Sequence, residues 1–143
     1  MSIETIELWH RRARPKPTDE DFNAQLGCHF EEIEEMMSAI VTDDDDIWET
    51  LRSEIFILAE MLKEGRLKAR VADRKEFLDS LADQVVTAIG TGYCANMKTA
   101  AAIAAVNRSN YSKFDVNGAP IFNENGKVIK GPRYAPPNLE GLY

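Results

Sequence analysis

Glutamates are concentrated in one short segment of the sequence, EEIEE at residues 31–35. On a helix of 3.6 residues per turn, Glu35 lies about 40° and Glu32 about 100° around the axis from Glu31, whereas the apolar side centres near roughly 210°. Such a face is usually solvated, but small residues flank these acids, and residues 17–51 contain no Lys or Arg. The sequence therefore predicts a functional acidic patch without basic partners, on a helix that another helix approaches closely.

A second pair of acids lies in a later, apolar segment. Asp79 and Asp83 are the only charged residues between Phe77 and Met97. Because they are four positions apart, they share one helix face, where like charges repel each other. Apolar residues surround most of this helix, so we expect it to be buried on most sides. A buried pair of carboxylates requires either a cation or a proton.

Clustered carboxylates favour a hard divalent cation over zinc, since Mg²⁺ and Mn²⁺ prefer oxygen ligands. The sequence has no calcium-binding EF-hand loop. Mg²⁺ in proteins commonly binds phosphate groups of a ligand as well as carboxylates, which points to phosphoanhydride chemistry. We predict Mg²⁺, or alternatively Mn²⁺, as the cofactor, with the ligands Glu31, Glu32, Glu35, Asp79 and Asp83.

The composition is that of an ordinary globular protein, with 143 residues, an apolar fraction of 44% and a net charge of -7. We expect a single domain over residues 1–143. The acidic middle of the chain argues against nucleic-acid binding. No apolar stretch is long enough to span a bilayer, and no apolar secretory segment is evident, so we expect a cytoplasmic protein that binds no membrane. The two cysteines, Cys28 and Cys94, are expected to be reduced and buried.

Periodic apolar residues predict an all-α fold, a compact bundle of four to five helices. Thr18, followed by three acidic residues, predicts the start of the second helix, and Gly65 predicts the end of the third. The predicted helices cover residues 3–12, 19–41, 46–64, 76–94 and 97–111, with a helical core over about 18–112.

The C-terminal tail, from about residue 115 to residue 143, has a different character from the helical core. It contains several Gly, Pro and Asn residues and shows no helical period. Ile121-Phe122 and Val128-Ile129 flank an Asn125-Gly126 pair, which indicates a hairpin turn. The sequence thus predicts an irregular tail with one short hairpin.

Four segments, in order, resemble the all-α nucleoside triphosphate pyrophosphohydrolases, in particular their MazG-like and phosphoribosyl-ATP pyrophosphohydrolase-like members. EEIEE resembles the first acidic motif, EExxE, and DSLADQVVTAIG at 79–90 resembles the second acidic helix. VNRSNYSKF at 106–114 and GKVIKGPRYAPPNL at 126–139 resemble the segments that follow. One position departs from the family pattern, because Ser80 occupies the usual place of a glutamate. Asp79 could supply that carboxylate, and the number of metal ions stays open.

The resemblance implies Mg²⁺-dependent hydrolysis of a nucleotide between its α and β phosphates, which yields a monophosphate and pyrophosphate. Glu32 is the candidate for the base that takes a proton from the attacking water. Bases and amides near the end of the helical core and in the tail are candidates for phosphate binding, and one tryptophan is a candidate for stacking on the nucleobase. These substrate-binding candidates are Trp9, Arg108, Asn110, Lys113, Lys127 and Lys130.

Other interpretations remain open from the sequence. A phosphoribosyl-ATP pyrophosphohydrolase or a dUTPase-like specialist would use the same acids on a narrower nucleotide substrate. A non-enzymatic helical module, which recruits a basic partner through its acidic surface, would show no Mg²⁺-dependent turnover. The resemblance and the limited core of several amphipathic helices also predict a homodimer or a homotetramer built as a dimer of dimers.

Overall fold

The computed structural model describes residues 2–124 and 127–143, and this part of the chain is all-α, with five helices and no strand. The predicted all-α class, with four to five helices, is therefore confirmed. The helical bounds agree with the predicted ones to within a few residues, and the largest difference is that the second helix ends at Ser38. The helices are α1 (Ile3–Ala13), α2 (Asp19–Ser38), α3 (Asp45–Lys63), α4 (Arg74–Cys94) and α5 (Thr99–Ser112).

Local capping interactions explain where the central helices begin and end. Thr18 and Asp21 form a capping box at the start of α2, in which the Thr18 amide donates to the Asp21 carboxylate at 3.0 Å. At the start of α3, the side chain of Asp44 accepts a bond from the Ile47 amide. Gly65 follows the last turn of α3 with a φ of 69°, a left-handed conformation that glycine adopts without steric cost. The predicted roles of Thr18 and Gly65 are thus confirmed.

The chain divides into two compact units. One consists of Met1–Lys16 and Asp73–Tyr143, and the other of Pro17–Ala72. The first unit thus contains α1, α4, α5 and the tail, and the second contains α2 and α3. The EEIEE acids belong to one unit, and Asp79 and Asp83 belong to the other.

Helices α2 and α3 form an antiparallel hairpin around a glycine contact. A Cβ atom on Gly27 would lie 2.7 Å from the carbonyl oxygen of Ala59, so only glycine allows this approach. Next to this contact, Leu62 is buried in the hairpin core. Nearer the connecting loop, the Trp48 indole donates to the Met37 carbonyl at 3.0 Å. The predicted close approach of another helix is therefore found at Gly27, before the acids, whereas the small residues after them, Ser38 and Ala39, are exposed.

In the other unit, α1 packs against α5 through aromatic residues. The Trp9 indole donates to the Asn110 carbonyl at 2.9 Å, and the Tyr111 hydroxyl donates to the Thr5 carbonyl at 2.7 Å. Phe114 is buried and stacks on Trp9 with 5.6 Å between ring centroids. These contacts hold the end of α5 in a fixed relation to α1.

The tail pairs with itself and with the end of α5. The Ile129 amide donates to the Ile121 carbonyl at 2.8 Å, and Phe122 and Val128 form an isolated antiparallel bridge. The flanking residues thus pair as the hairpin prediction requires, while its turn residues, Asn125 and Gly126, lie outside the described residues. Farther along, the Gly131 amide donates to the Lys113 carbonyl, which ties the tail to α5.

The prediction that α4 is buried on most sides is wrong, because none of its residues is buried. Leu78, Val86 and Tyr93 are exposed to 69%, 67% and 80%. An apolar sequence shows that other elements can cover a helix, but it does not show that they do. Within its own unit, α4 packs against α5, where Gly92 lies close to Thr99. No helix in residues 2–124 and 127–143 combines the length and apolarity needed to cross a membrane.

The prediction of two buried cysteines is also wrong. Cys94, on the last turn of α4, is exposed, and Cys28, on α2, is half-buried. Both thiols are free. The error on Cys94 has the same origin as the error on α4, since the apolar neighbours of Cys94 in the sequence do not cover it.

Candidate functional site

The first acid of the EEIEE segment has a basic partner on the facing helix. The Lys63 ammonium lies 2.8 Å from a carboxylate oxygen of Glu31 and also bonds to Glu60, one turn earlier on α3. Hydrogen bonds to Glu31 and Glu60 raise the pKa of Lys63, and they outweigh its partial burial. Lys63 therefore stays protonated across the physiological range and neutralises part of the charge of the two acids.

A second basic residue of α3 holds another glutamate of the same segment. The Arg52 guanidinium lies 2.9 Å from a carboxylate oxygen of Glu34 and 2.9 Å from one of Glu49. The prediction that these acids lack basic partners is thus wrong for Glu31 and Glu34. Lys63 lies 32 positions after Glu31 in the sequence, and the hairpin brings the two side chains together. The absence of bases near Glu31 in the sequence therefore did not mean that no base lies near it in the fold.

The remaining predicted ligands of both units are exposed. Glu32 and Glu35 lie on the exposed side of α2, and Asp79 and Asp83 lie on α4. Within the described chain, no Lys, Arg or His pairs with Glu35, Asp79 or Asp83. These three carboxylates are therefore open to a cation from solution.

The oxygen donors fit Mg²⁺ in kind, but the described residues contain no group of three or more His, Cys, Asp or Glu side chains that could hold a metal. Glu31 and Glu60 nevertheless converge on one cation, the Lys63 ammonium. These two carboxylates are therefore already paired with a base of their own unit. Glu60 was not predicted as a partner of Lys63, and its spacing of three from Lys63 on one helix was the signal that could have indicated it.

A cavity of about 220 Å³ opens at the end of the hairpin away from its connecting loop. Asn23, in its wall, is buried and accepts a bond from the Ala69 amide at 2.6 Å, which fixes the segment after α3. Acids and bases line the cavity together, so it has no strong preference for one sign of charge. Its charged residues are Asp19, Glu20, Lys63, Glu64 and Lys68.

Three of the predicted substrate-binding residues come together between α1 and α5. The Lys113 ammonium donates to the Asn110 side chain at 2.8 Å and lies 5.9 Å from the centre of the Trp9 ring. Trp9 is half-buried, with its indole nitrogen bonded and its ring stacked on Phe114. Trp9 therefore anchors α1 to α5, which is the role that large aromatic residues commonly have.

The other predicted phosphate-binding residues stand apart from this cluster. Arg108 is exposed, and no hydrogen bond or ion pair joins its side chain to another described residue. Lys127 and Lys130, in the tail, are also exposed, and the Lys130 ammonium lies 4.5 Å from the centre of the Tyr134 ring. These bases are accessible to an anion.

Comparisons of the chain with models of protein families, with curated proteins and with solved structures found no match.

Proposed function

We propose that this chain is a Mg²⁺-dependent nucleotide pyrophosphohydrolase, which cleaves a nucleoside triphosphate between its α and β phosphates. The four segments that resemble this family in order support the proposal. The main observation in its favour concerns three acids of the two acidic motifs, Glu35, Asp79 and Asp83. These acids are exposed and have no basic partner among the described residues. Asp79 and Asp83, four positions apart on one helix, repel each other by about 0.2–0.5 kcal/mol, and a bound cation would relieve this repulsion.

The proposed ligands are Glu31, Glu32, Glu35, Asp79 and Asp83, and Mg²⁺ would lower the pKa of a bound water and neutralise charge on the phosphates. Glu32 takes the proton of the attacking water in this proposal. Arg108 and Lys113 bind phosphate oxygens, with Asn110 donating a further hydrogen bond. Lys113 is already oriented by Asn110, at 2.8 Å, so its ammonium has little freedom to lose when a phosphate binds.

The test of this function is a panel of nucleotides incubated with Mg²⁺, with the products separated as monophosphate plus pyrophosphate or as diphosphate plus orthophosphate. The proposal expects pyrophosphate, and no turnover when a chelator removes the metal. Orthophosphate and a nucleoside diphosphate as products would contradict it. The same panel identifies a specialist, because only phosphoribosyl-ATP or only dUTP would then be hydrolysed.

We also propose that the protein is a homodimer or a homotetramer and that α4 takes part in the interface. Leu78, Val85, Val86 and Tyr93 are exposed along this helix, whose second half carries no charge. Contiguous exposed apolar side chains of this kind mark interaction surfaces. Light scattering after gel filtration should give a multiple of the 16.1 kDa chain mass, and Val86→Glu should reduce it. A wild type of 16.1 kDa would contradict this assembly.

A further inference from the structure

The ammonium group of Lys113 is held by neutral partners. It donates to the side-chain oxygen of Asn110 at 2.8 Å and lies 5.9 Å from the centre of the Trp9 ring, within the range of a cation–π contact. No carboxylate in the described part of the chain pairs with it. Lys63 differs, because its two partners are carboxylates that offset its charge. Lys113 therefore keeps its full positive charge in a restricted position.

Trp9 restrains this lysine in two ways. Its ring lies beside the ammonium, and its indole nitrogen donates to the backbone carbonyl of Asn110 at 2.9 Å. The second bond fixes the residue whose side chain accepts from Lys113. Phe114 stacks on one face of the Trp9 ring, so at most one face is left for a nucleobase. The surroundings of Trp9 thus favour a role in holding Lys113 over the predicted role in stacking on a base.

The C-terminal tail fixes the backbone of the same lysine. The Gly131 amide donates to the Lys113 carbonyl at 3.0 Å. A Cβ atom at position 131 would lie 2.6 Å from that carbonyl oxygen, so only glycine allows this approach. Trp9, Lys113 and Gly131 all belong to one compact unit. Lys113 is thus restrained from α1, from α5 and from the tail.

A restrained ammonium binds an anion at a lower entropic cost. A lysine side chain loses rotamer freedom when a ligand immobilises it, and this loss weakens binding. Lys113 has lost part of that freedom before any ligand binds, because Asn110 and Trp9 already contact its ammonium. Asn110 uses one of the three N–H donors of the ammonium, so two donors and the full charge remain for phosphate oxygens.

We propose that Trp9 is a positioning residue, which holds the Lys113 ammonium where it binds the phosphate groups of the substrate and does not stack on the nucleobase. This inference rests on the proposed function, from which it takes Lys113 as a phosphate-binding residue. It assigns to Trp9 an effect on phosphate affinity that acts through Lys113.

The test is an NMR titration of metal-free protein with sodium pyrophosphate at constant ionic strength, followed at the amide signals of residues 108–114. Pyrophosphate contains no base, so its affinity reports on the phosphate contacts only. Lys113→Met should weaken binding roughly tenfold to a hundredfold, because it removes a charge-assisted bond. Trp9→Phe keeps an aromatic ring but loses the indole bond to Asn110, and it should weaken binding about twofold to tenfold. Trp48→Phe, in the other unit, is the matched control and should bind as the wild type does.

A double-mutant cycle separates positioning from a purely structural role. In the Lys113→Met background, Trp9→Phe should cause no further loss of affinity, because the residue through which Trp9 acts is gone. Equal losses in both backgrounds would show that Trp9 only supports the fold, and this result would overturn the inference. Unchanged pyrophosphate binding in Trp9→Phe would also overturn it.

The fluorescence of Trp9 provides a second measurement with the native side chain in place. Trp48→Phe leaves Trp9 as the only tryptophan of the chain. Pyrophosphate should change its emission, since the neighbouring ammonium acquires a counter-ion, and adding Lys113→Met should abolish the change. Unchanged emission of Trp48→Phe, in a titration where NMR shows binding, would overturn the inference.

These outcomes separate the inference from the proposed function. If Lys113→Met weakens pyrophosphate binding but Trp9→Phe does not, the phosphate role of Lys113 stands and only the positioning is wrong. If Lys113→Met binds as tightly as the wild type, or if the wild type binds no pyrophosphate, the phosphate role of Lys113 and this inference are both wrong. Hydrolysis itself is decided separately by the nucleotide panel.

Discussion

The acids of α2 and the acids of α4 look alike in the sequence but have different surroundings in the folded chain. Glu31 shares a cation with Glu60, and Lys63 reaches it from a helix packed against α2. Asp79 and Asp83 lie on a helix without a buried residue and have no basic partner in the described part of the chain. One acidic segment is thus partly neutralised by its own unit, whereas the other is not.

This difference shows that the charge state of an acidic motif depends on the helix that faces it. An antiparallel neighbour can supply bases from distant positions, as α3 does for α2. Arg74 and Lys75 lie in the first turn of α4, but neither pairs with Asp79 or Asp83, so no base of the described chain neutralises these acids. A cation that approaches α2 therefore meets carboxylates that are partly paired with bases, whereas one that approaches α4 meets carboxylates without basic partners in the described chain.

The largest expected effect concerns turnover. Glu35→Gln and Asp83→Asn should each lower Mg²⁺-dependent pyrophosphate release by orders of magnitude, because each removes a proposed ligand while changing little of the side-chain volume. Steady-state kinetics at saturating Mg²⁺ measures this effect, with helix content checked by circular dichroism. Glu76→Gln, in the first turn of α4, is the control and should keep its activity. Near-normal activity of Glu35→Gln or Asp83→Asn would remove that residue from the site.

Substitutions of two glycines test how differently α2 and α4 are packed. Gly27→Ala should destabilise the protein by roughly 1–3 kcal/mol, since the new Cβ meets the Ala59 carbonyl at 2.7 Å. Gly90→Ala, on α4, meets nothing within 4 Å and should stabilise by up to about 1 kcal/mol through helix propensity. Urea unfolding measures both changes. A destabilising Gly90→Ala would show that another surface covers α4.

Local signals in the sequence were sufficient for most of the fold. Thr18 and Gly65 indicated real helix ends, because capping depends on residues within one turn. Burial and pairing could not be predicted equally well, since they depend on which helices meet. The contact of Gly27 with Ala59 places Lys63 beside Glu31, and no local pattern in α2 contains that information. The exposure of α4 was missed for the same reason.

The smallest expected effect concerns charge pairs in the metal-free protein. Glu31→Gln should destabilise by about 0.2–1 kcal/mol, because it removes one partner of a partly exposed ion pair. Asp83→Asn should instead stabilise by about 0.2–0.5 kcal/mol, since it relieves repulsion with Asp79 at a spacing of four. Thermal melting in chelator should show opposite shifts, and both should shrink in 1 M salt. Shifts of the same sign would mean that the two acidic segments do not differ as described.

The most direct test of the central claim, that the acidic segments of α2 and of α4 each bind a divalent cation, is an NMR titration with substoichiometric Mn²⁺. The paramagnetic ion broadens the amide signals of residues close to it. The account predicts that broadening is strongest at residues 31–35 and at 79–83 and weaker at the acidic run Asp43–Asp46. Broadening confined to Asp43–Asp46, or absent from either predicted segment, would contradict it.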